Sequence, residues 1–370
     1  MTTTKLENIP PAEPGQIRHI VELTIQQLQA RYPAQKPVLR GVHAKSHGCV
    51  NAVFQILPDL SAGLRHGVFG VPGRRYESLV RFSNAATLVA PDSSATGGGV
   101  EHGSRGMAIK VLGVEGEPLL GAHGALTQDF LMINQPVFAF ANVEDYEVLS
   151  KVLVDHKDDP RPFFAARLPK PDESPLTASH LRAIETARIV QRIRSASLTA
   201  TPPAFQKPPA SPVDNNYFSA SSFLLGPDHV MRFRVRPRNP STAEPDIGDP
   251  DYLRTALVRR LKDECAGPVV FDFEIQVRPA GEIDADVDIE NASREWSESI
   301  PFVPAATLTI PLQEFDTPAL NERCEKLVFT PWHGLAAHRP LGGINRLRRA
   351  VYEASAMFRN LPKAPSTGCQ

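Results

Sequence analysis

The sequence predicts an α+β protein in which helices surround an eight-stranded antiparallel β-barrel. Two observations support this fold class. Eight segments alternate apolar and polar residues with the period of two that half-buried strands show. Helical spacing of apolar residues appears between these segments and again near the end of the sequence. An antiparallel sheet of eight strands can close into a barrel that its own side chains fill, which leaves the outer face or a mouth for function.

The predicted strands are spread over most of the sequence. They are residues 49–57, 76–84, 105–112, 128–134, 217–225, 229–236, 269–277 and 305–312. Helices are predicted at residues 14–32, 177–194, 253–265 and 342–359. Gly97, Gly98 and Gly99 predict a flexible loop, because neither the helix nor the lysine of a phosphate-binding loop follows them.

One core region accounts for most of the predicted elements. It covers residues 38–340 and is interrupted by a proline-rich excursion at residues 158–213. Residues 1–37 form an N-terminal extension with an amphipathic helix. Residues 341–370 hold the last helix and a tail, which we assign to the same domain as the core.

Charge and hydropathy exclude several classes of function. The chain of 370 residues has a net charge of −1, and its pI is about 6.8. This balance gives no electrostatic reason to expect binding to nucleic acid or to an anionic membrane. No apolar run is long enough to span a bilayer, and the first residues lack the apolar core of a secretory signal. We therefore expect a cytoplasmic protein without a membrane span.

The cysteines point to the same compartment. Cys49, Cys265, Cys324 and Cys369 are widely separated and form no CxxC pair. This spacing indicates neither a zinc site nor a disulfide framework, so we expect reduced cysteines in a reducing compartment.

The last predicted helix carries chemistry on one face. Arg348, Tyr352 and Arg359 fall within a sector of roughly 40° when the helix is unrolled. An arginine four residues before a tyrosine favours the phenolate, which is a hard ligand for ferric iron. The alternative, from these residues alone, is an amphipathic helix with a core tyrosine and arginines that reach solvent. The opposite face is predicted to be exposed and holds Arg346, Arg349, Glu353 and Asn360.

Two histidines near residue 45 are the first candidates for proton transfer. His43 and His47 have the i, i+4 spacing that places two metal ligands on one helical face. The glutamate of an HExxH zinc motif is missing, however, and a predicted strand follows at once. One histidine that titrates near neutrality and transfers protons is therefore the favoured interpretation.

Five segments, taken in order, resemble the haem-containing catalases and in particular their minimal, catalase-related members. The segments are RGVHAK at residues 40–45, RFS at 81–83, RGMAIK at 105–110, NQPVF at 134–138 and RRAVYEASAMFR at 348–359. Each motif is only moderately specific. Five of them in a fixed order favour the catalytic interpretation of the last helix over the simple amphipathic one.

The resemblance implies a catalase-like barrel, a haem b cofactor and a set of site residues. Tyr352 would be the iron ligand, and the catalytic residues would be His43, Ser83 and Asn134. Asn134 alone, before a proline, is also typical of a turn. The other haem-binding residues implied are Arg40, Val42, Arg81, Phe138, Arg348 and Arg359.

The implied function is that of a haem-dependent hydroperoxidase acting on hydrogen peroxide or organic hydroperoxides. A haem hydroperoxide isomerase or lyase similar to allene oxide synthase is one alternative, and a non-enzymatic haem-binding barrel is another. The sequence does not decide whether an electron donor takes part or whether the protein forms a homo-oligomer. Ala139 replaces an expected second aromatic, and Glu353, Ala354 and Ala356 replace residues usual after the tyrosine. These departures, with the expected lack of a long N-terminal arm, favour organic hydroperoxides.

Overall fold

The computed structural model describes residues 6–32, 38–96, 99–120 and 127–360. Some of the predictions made above fall outside the described residues. These predictions concern the first five residues, Gly97, Gly98 and the tail after residue 360, which includes Cys369.

The described part of the chain contains seven α-helices and eleven strands. The helices are α1 Glu13–Arg31, α2 Val143–Asp155, α3 Arg161–Arg167, α4 Ala178–Arg194, α5 Tyr252–Lys262, α6 Pro318–Lys326 and α7 Gly343–Asn360. The strands are β1 Ser46–Ile56, β2 Arg75–Asn84, β3 Ser93–Thr96, β4 Gly99–His102, β5 Arg105–Leu112, β6 Thr127–Ile133, β7 Tyr217–Phe218, β8 Phe223–Leu225, β9 His229–Pro237, β10 Val269–Pro279 and β11 Phe302–Ile310.

Eight of these strands close into an antiparallel barrel. The order is β10–β11–β1–β2–β5–β6–β7–β9, and β9 pairs with β10 to complete the ring. Strand β8 is added to β9 outside the ring, while β3 and β4 form a separate hairpin. The predicted fold class is therefore confirmed. The hairpin and helices α2, α3 and α6 were not predicted.

One predicted strand is wrong in its extent. Residues 217–225 form two short strands instead of one, because the backbone at Ala220 adopts a left-handed conformation with φ 53°. Strand β7 stays in the barrel, whereas β8 continues beyond the turn and pairs only with β9.

Aromatic side chains fill the barrel interior. Phe130 lies at the centre, with its ring centroid 4.8 Å from that of Phe273 and 5.0 Å from that of Phe233. Phe54 and Phe69 pack against the same group. All five side chains are buried. Since offset and edge-to-face packing leaves no room inside the barrel, any site must lie outside it.

Helices α1, α2 and α7 pack together on the outside of the barrel. Ile20 of α1, Val143 of α2 and Leu347 of α7 form a small apolar cluster. Arg349, Glu353 and Asn360 are exposed as predicted, but Arg346 is not. Its guanidinium forms ion pairs with carboxylates from three other segments of the chain, which are Glu7, Glu13 and Glu290. Among the described residues, no helix combines the length and the apolar character that crossing a membrane requires.

The cysteine prediction is wrong. Cys49 of β1 and Cys324 of α6 form a disulfide with a Cα–Cα distance of 5.7 Å, and the two residues are 275 positions apart in the sequence. Only the fold brings them together, so spacing in the sequence could not reveal the pair. Cys265 is free and exposed.

Candidate active site

A cavity of about 370 Å³ lies between the barrel and the helices. Strands β2, β5 and β6 line it on one side, and α1, α2 and α7 line it on the other. The structure brings nine of the ten candidate residues to this cavity. They are Arg40, Val42, His43, Arg81, Ser83, Phe138, Arg348, Tyr352 and Arg359.

The backbone around His43 brings its imidazole close to two strands. His43 has a left-handed φ of 56°, and its Nδ1 atom lies 2.9 Å from the Ser83 hydroxyl oxygen on β2. Gly106 on β5 is the register partner of Ser83. A Cβ atom at Gly106 would lie 2.3 Å from His43 Nδ1, closer than real Cβ contacts come. The glycine of the RGMAIK segment therefore provides the space that the imidazole occupies.

The imidazole of His43 is neutral over the usual pH range. Burial lowers its pKa, and the positive charges of Arg81, Arg348 and Arg40 lower it further, to about 3. The expectation that His43 titrates near neutrality is thus wrong, because the sequence does not show that three arginines surround it. A neutral imidazole has one nitrogen free to accept a proton.

Asn134 is the candidate residue that does not line the cavity. Its side-chain oxygen accepts a hydrogen bond from the backbone N–H of Arg105 at 2.7 Å. This bond joins the end of β6 to the start of β5. The next residue, Gln135, lines the cavity instead, and its side-chain amide donates to the Ser104 hydroxyl at 2.6 Å. Gln135 was not singled out in the sequence, because the segment NQPVF gives no signal that separates the two neighbouring amides.

Three arginines converge on one residue, Glu325, at the cavity. Arg40 binds the Glu325 side chain at 2.5 Å, and Arg81 approaches the same carboxylate at 3.5 Å. Arg359 donates to the backbone carbonyl of Glu325 at 2.8 Å. Glu325 was not singled out in the sequence, because it belongs to α6, a mostly polar helix.

The arginine cluster, defined as Arg40, Arg81 and Arg359, carries more positive charge than Glu325 neutralises. Burial and the charge of Arg40 lower the pKa of Arg81 to about 9 and that of Arg359 to about 10. The buried Nε atoms of Arg81, Arg348 and Arg359 have no hydrogen-bond partner among the described residues. Since buried donors and charges are costly without partners, the cluster suits a ligand with carboxylate groups.

Tyr352 lies beside a fixed guanidinium. The central carbon of Arg348 is 5.5 Å from the centroid of the Tyr352 ring and 5.6 Å from that of the Phe138 ring. Asn345 accepts a hydrogen bond from Arg348 at 3.1 Å and holds its orientation. The one-turn spacing of Arg348 and Tyr352 on α7 thus produces the cation–ring contact that the sequence predicted.

Part of the cavity lining is mostly apolar. Ala139, Phe140, Leu149 and Leu153 form this part together with Tyr146. Burial raises the pKa of Tyr146 well above its usual range, so its phenol stays neutral. Ala139 widens this wall where the resemblance led us to expect a second aromatic ring.

His47 lies away from the cavity. Its Nε2–H donates a hydrogen bond to the Asn84 side-chain oxygen at 2.9 Å, and burial lowers the pKa of His47 to about 4. Within residues 6–32, 38–96, 99–120 and 127–360, no cluster of three ligand-type side chains suitable for a metal ion occurs.

Comparison with known proteins shows the fold and leaves the chemistry open. No protein-family model and no curated protein sequence matches the chain. The solved structures that are similar to the chain include three catalases, each of which covers 90% of it. They are a bacterial catalase at 15% identity and a TM-score of 0.59, a fungal catalase at 16% and 0.59, and catalase A from Saccharomyces cerevisiae at 14% and 0.58. The chain spans 59%, 61% and 63% of their respective lengths. The chain therefore has a catalase-like fold.

Proposed function

We propose that this catalase-like chain is a haem-dependent hydroperoxidase. One observation carries the proposal: a single cavity brings together a phenol beside a guanidinium, a neutral histidine and a cluster of three arginines. Phenol, imidazole and guanidinium are, respectively, an iron ligand, a proton-transfer group and a partner for carboxylates.

The cavity residues suit haem b as the cofactor. Tyr352 would hold the iron, and the arginine cluster would hold the two propionates, for which the unpartnered Nε atoms are available donors. Val42 and Phe138 would pack against the macrocycle. Bound haem supplies a redox-active iron that activates the O–O bond of a peroxide.

His43 would move the proton that O–O cleavage requires. Its neutral imidazole can accept the proton of the near peroxide oxygen and return it to the far oxygen as that oxygen leaves. Ser83 fixes the imidazole through the Nδ1 contact. Because Gln135 lines the cavity and Asn134 does not, we assign the polar contact to the peroxide to Gln135.

Organic hydroperoxides are the substrates that the cavity favours. Its apolar lining, which includes Leu149 and Leu153, can bury an alkyl tail that hydrogen peroxide lacks. The same feature supports a second candidate function, rearrangement of a fatty acid hydroperoxide without an electron donor. Product analysis separates the two, since a peroxidase yields the alcohol and oxidised donor, and an isomerase yields a rearranged product alone.

The visible spectrum of the haem-loaded protein tests the proposal. Wild type, Tyr352→Phe and Tyr146→Phe are supplemented with equal haemin, and we expect the tyrosinate charge-transfer absorption to vanish only in Tyr352→Phe. Tyr146 is the matched control because it lines the same cavity. Identical spectra for all three proteins would remove Tyr352 as the ligand, and lack of turnover with any hydroperoxide would remove the enzymatic function.

A further inference from the structure

A disulfide links helix α6 covalently to strand β1 of the barrel. Cys324 is the buried residue of this helix, with 2% of its surface exposed, and its partner Cys49 belongs to β1. The remaining residues of α6 are polar, small or partly exposed and include Glu322, Arg323 and Lys326. A helix with so little apolar surface has little reason to stay docked without the covalent link.

The C-terminal end of α6 supplies the partners of the arginine cluster. Arg40 donates to the backbone carbonyls of Cys324 at 3.1 Å and Leu327 at 2.8 Å, in addition to its ion pair with Glu325. Arg359 donates to the carbonyl of Glu325. The last carbonyls of a helix lack intrahelical partners and form the negative end of its dipole, so this helix end is suited to hold two guanidinium groups.

We propose that the Cys49–Cys324 disulfide is a redox control on the binding of dicarboxylate ligands at the arginine cluster. This inference rests on the proposed function for the identity of the ligand, a porphyrin with two propionates. With the disulfide intact, the end of α6 holds Arg40 and Arg359 in place and so reduces the ordering cost of binding. The site is then assembled before the ligand arrives.

Reduction of the disulfide releases the end of α6 from Arg40 and Arg359. A dithiol reductant gives two electrons and two protons, the Sγ–Sγ bond breaks, Cys49 and Cys324 become thiols, and the dithiol becomes a disulfide. Helix α6 then leaves the barrel and takes with it the carbonyls and the carboxylate that hold three mutually repelling arginines together. The affinity for a dicarboxylate falls.

Thermodynamic linkage gives the inference a second, independent consequence. If the disulfide strengthens ligand binding by some factor, the bound ligand must shift the thiol–disulfide equilibrium toward the disulfide by the same factor. The Cys49–Cys324 pair should therefore be harder to reduce when the ligand is bound.

The experiment measures porphyrin binding in both redox states. All samples carry Cys265→Ser and Cys369→Ser, so that only Cys49 and Cys324 can react. Haemin and iron-free protoporphyrin IX are titrated into three samples. The samples are oxidised protein, protein reduced with a dithiol that is then removed without air, and the Cys49→Ser/Cys324→Ser variant. We expect the affinities of the two samples without the disulfide to be lower than that of the oxidised protein by about 5- to 150-fold, the usual range of coupling between sites.

A cluster variant and a redox titration complete the test. Arg40→Gln should abolish the difference between the oxidised and reduced forms, because Arg40 makes most contacts to the end of α6. The redox titration, performed on protein with native Cys49 and Cys324, should show that haemin displaces the equilibrium toward the disulfide. The redox titration needs no substitution at Cys49, Cys324 or Arg40.

The outcomes separate this inference from the proposed function. Equal haemin affinity in both states, with a redox equilibrium that haemin leaves unchanged, would overturn the inference and leave the proposed function standing. Binding of protoporphyrin IX but not haemin, with the expected redox dependence, would support the inference and contradict Tyr352 ligation. Failure of oxidised protein to bind either porphyrin would overturn both.

Discussion

The Nδ1 atom of His43 lies 2.9 Å from the hydroxyl oxygen of Ser83. The contact joins a residue in a left-handed backbone conformation to a barrel strand, and the space for it exists because residue 106 is a glycine. Because the imidazole is both fixed and neutral, His43 should act in proton transfer without needing a change in pH to become a base.

Replacing the two histidines separately should have different effects. We expect His43→Ala to keep haem but lose peroxide turnover by roughly a hundredfold or more, the usual size of an acid–base contribution. His47→Ala should reduce turnover much less, because its ring contacts Asn84 and does not line the cavity. Steady-state kinetics at equal haem content make the comparison. A larger loss of turnover in His47→Ala would show that the two roles are exchanged.

Replacing Gly106 should act through His43. The Cβ of Gly106→Ala would overlap the imidazole, so the ring must leave Ser83, and we expect turnover to fall by about a hundredfold with haem still bound. Gly103→Ala is the matched control, since a Cβ there meets no atom within 4 Å. Kinetics and haem titration of both variants test this. Wild-type turnover in Gly106→Ala would mean that the position of the imidazole is unimportant.

Narrowing the apolar part of the cavity should change the preference between organic hydroperoxides and hydrogen peroxide. We expect Ala139→Phe to lower kcat/KM for cumene hydroperoxide by about tenfold, or roughly 1.4 kcal/mol of lost apolar contact, with little effect on hydrogen peroxide. Ala139→Ser, which conserves size, should leave both values near wild type. The wild-type ratio of the two constants should also exceed that of a full-length catalase. If both substrates lose activity equally in Ala139→Phe, the alkyl tail does not bind at this wall.

Acid should destabilise the fold through its buried histidines. Burial lowers the pKa values of His47, His102 and His338 to about 4. Between that pH and about 6.5 the unfolded chain binds more protons than the folded one, so stability falls as pH decreases through this window. Each histidine contributes at most about 1.4 kcal/mol per pH unit.

Urea unfolding at about pH 7 and about pH 5 measures this effect. His338 is the best position to vary, because its Nε2 atom accepts the backbone N–H of Val68 at 3.1 Å and cannot do so once protonated. In His338→Gln the difference in unfolding free energy between the two pH values should shrink. An unchanged difference would mean that His338 is not one of the responsible groups.

The barrel was predictable because its pattern is local. Alternation in segments such as residues 229–236 and 269–277 identifies strands without knowledge of their partners. The face shared by Arg348, Tyr352 and Arg359 follows in the same way from the 3.6-residue period of one helix. Helix α6 escaped prediction because its nine residues bury only Cys324 and so carry no apolar stripe.

Other features of the site depend on contacts between distant segments. The pKa of His43 is lowered by its burial and by the charges of Arg81, Arg348 and Arg40, which come from three separate parts of the chain. Glu325 follows Cys324, the disulfide partner of Cys49, and contacts Arg40 from a distant segment of the chain. The direction of the Asn134 amide is set by Arg105 on a neighbouring strand, and a strand pattern does not specify such a choice.

The pairing of β1 with β11 also determines when the protein can fold. One edge of β1 pairs with β2 at residues 75–83, but the other edge finds β11 only near position 305. The ring therefore cannot close until about 250 further residues have been synthesised. Helix α7, which carries Tyr352, follows later still. During synthesis the apolar face of β1, including Phe54 and Ile56, therefore stays unpaired with β11 until the end of the chain is made. Chaperone protection of the nascent chain has more time to act here than in a fold built from neighbouring strands alone.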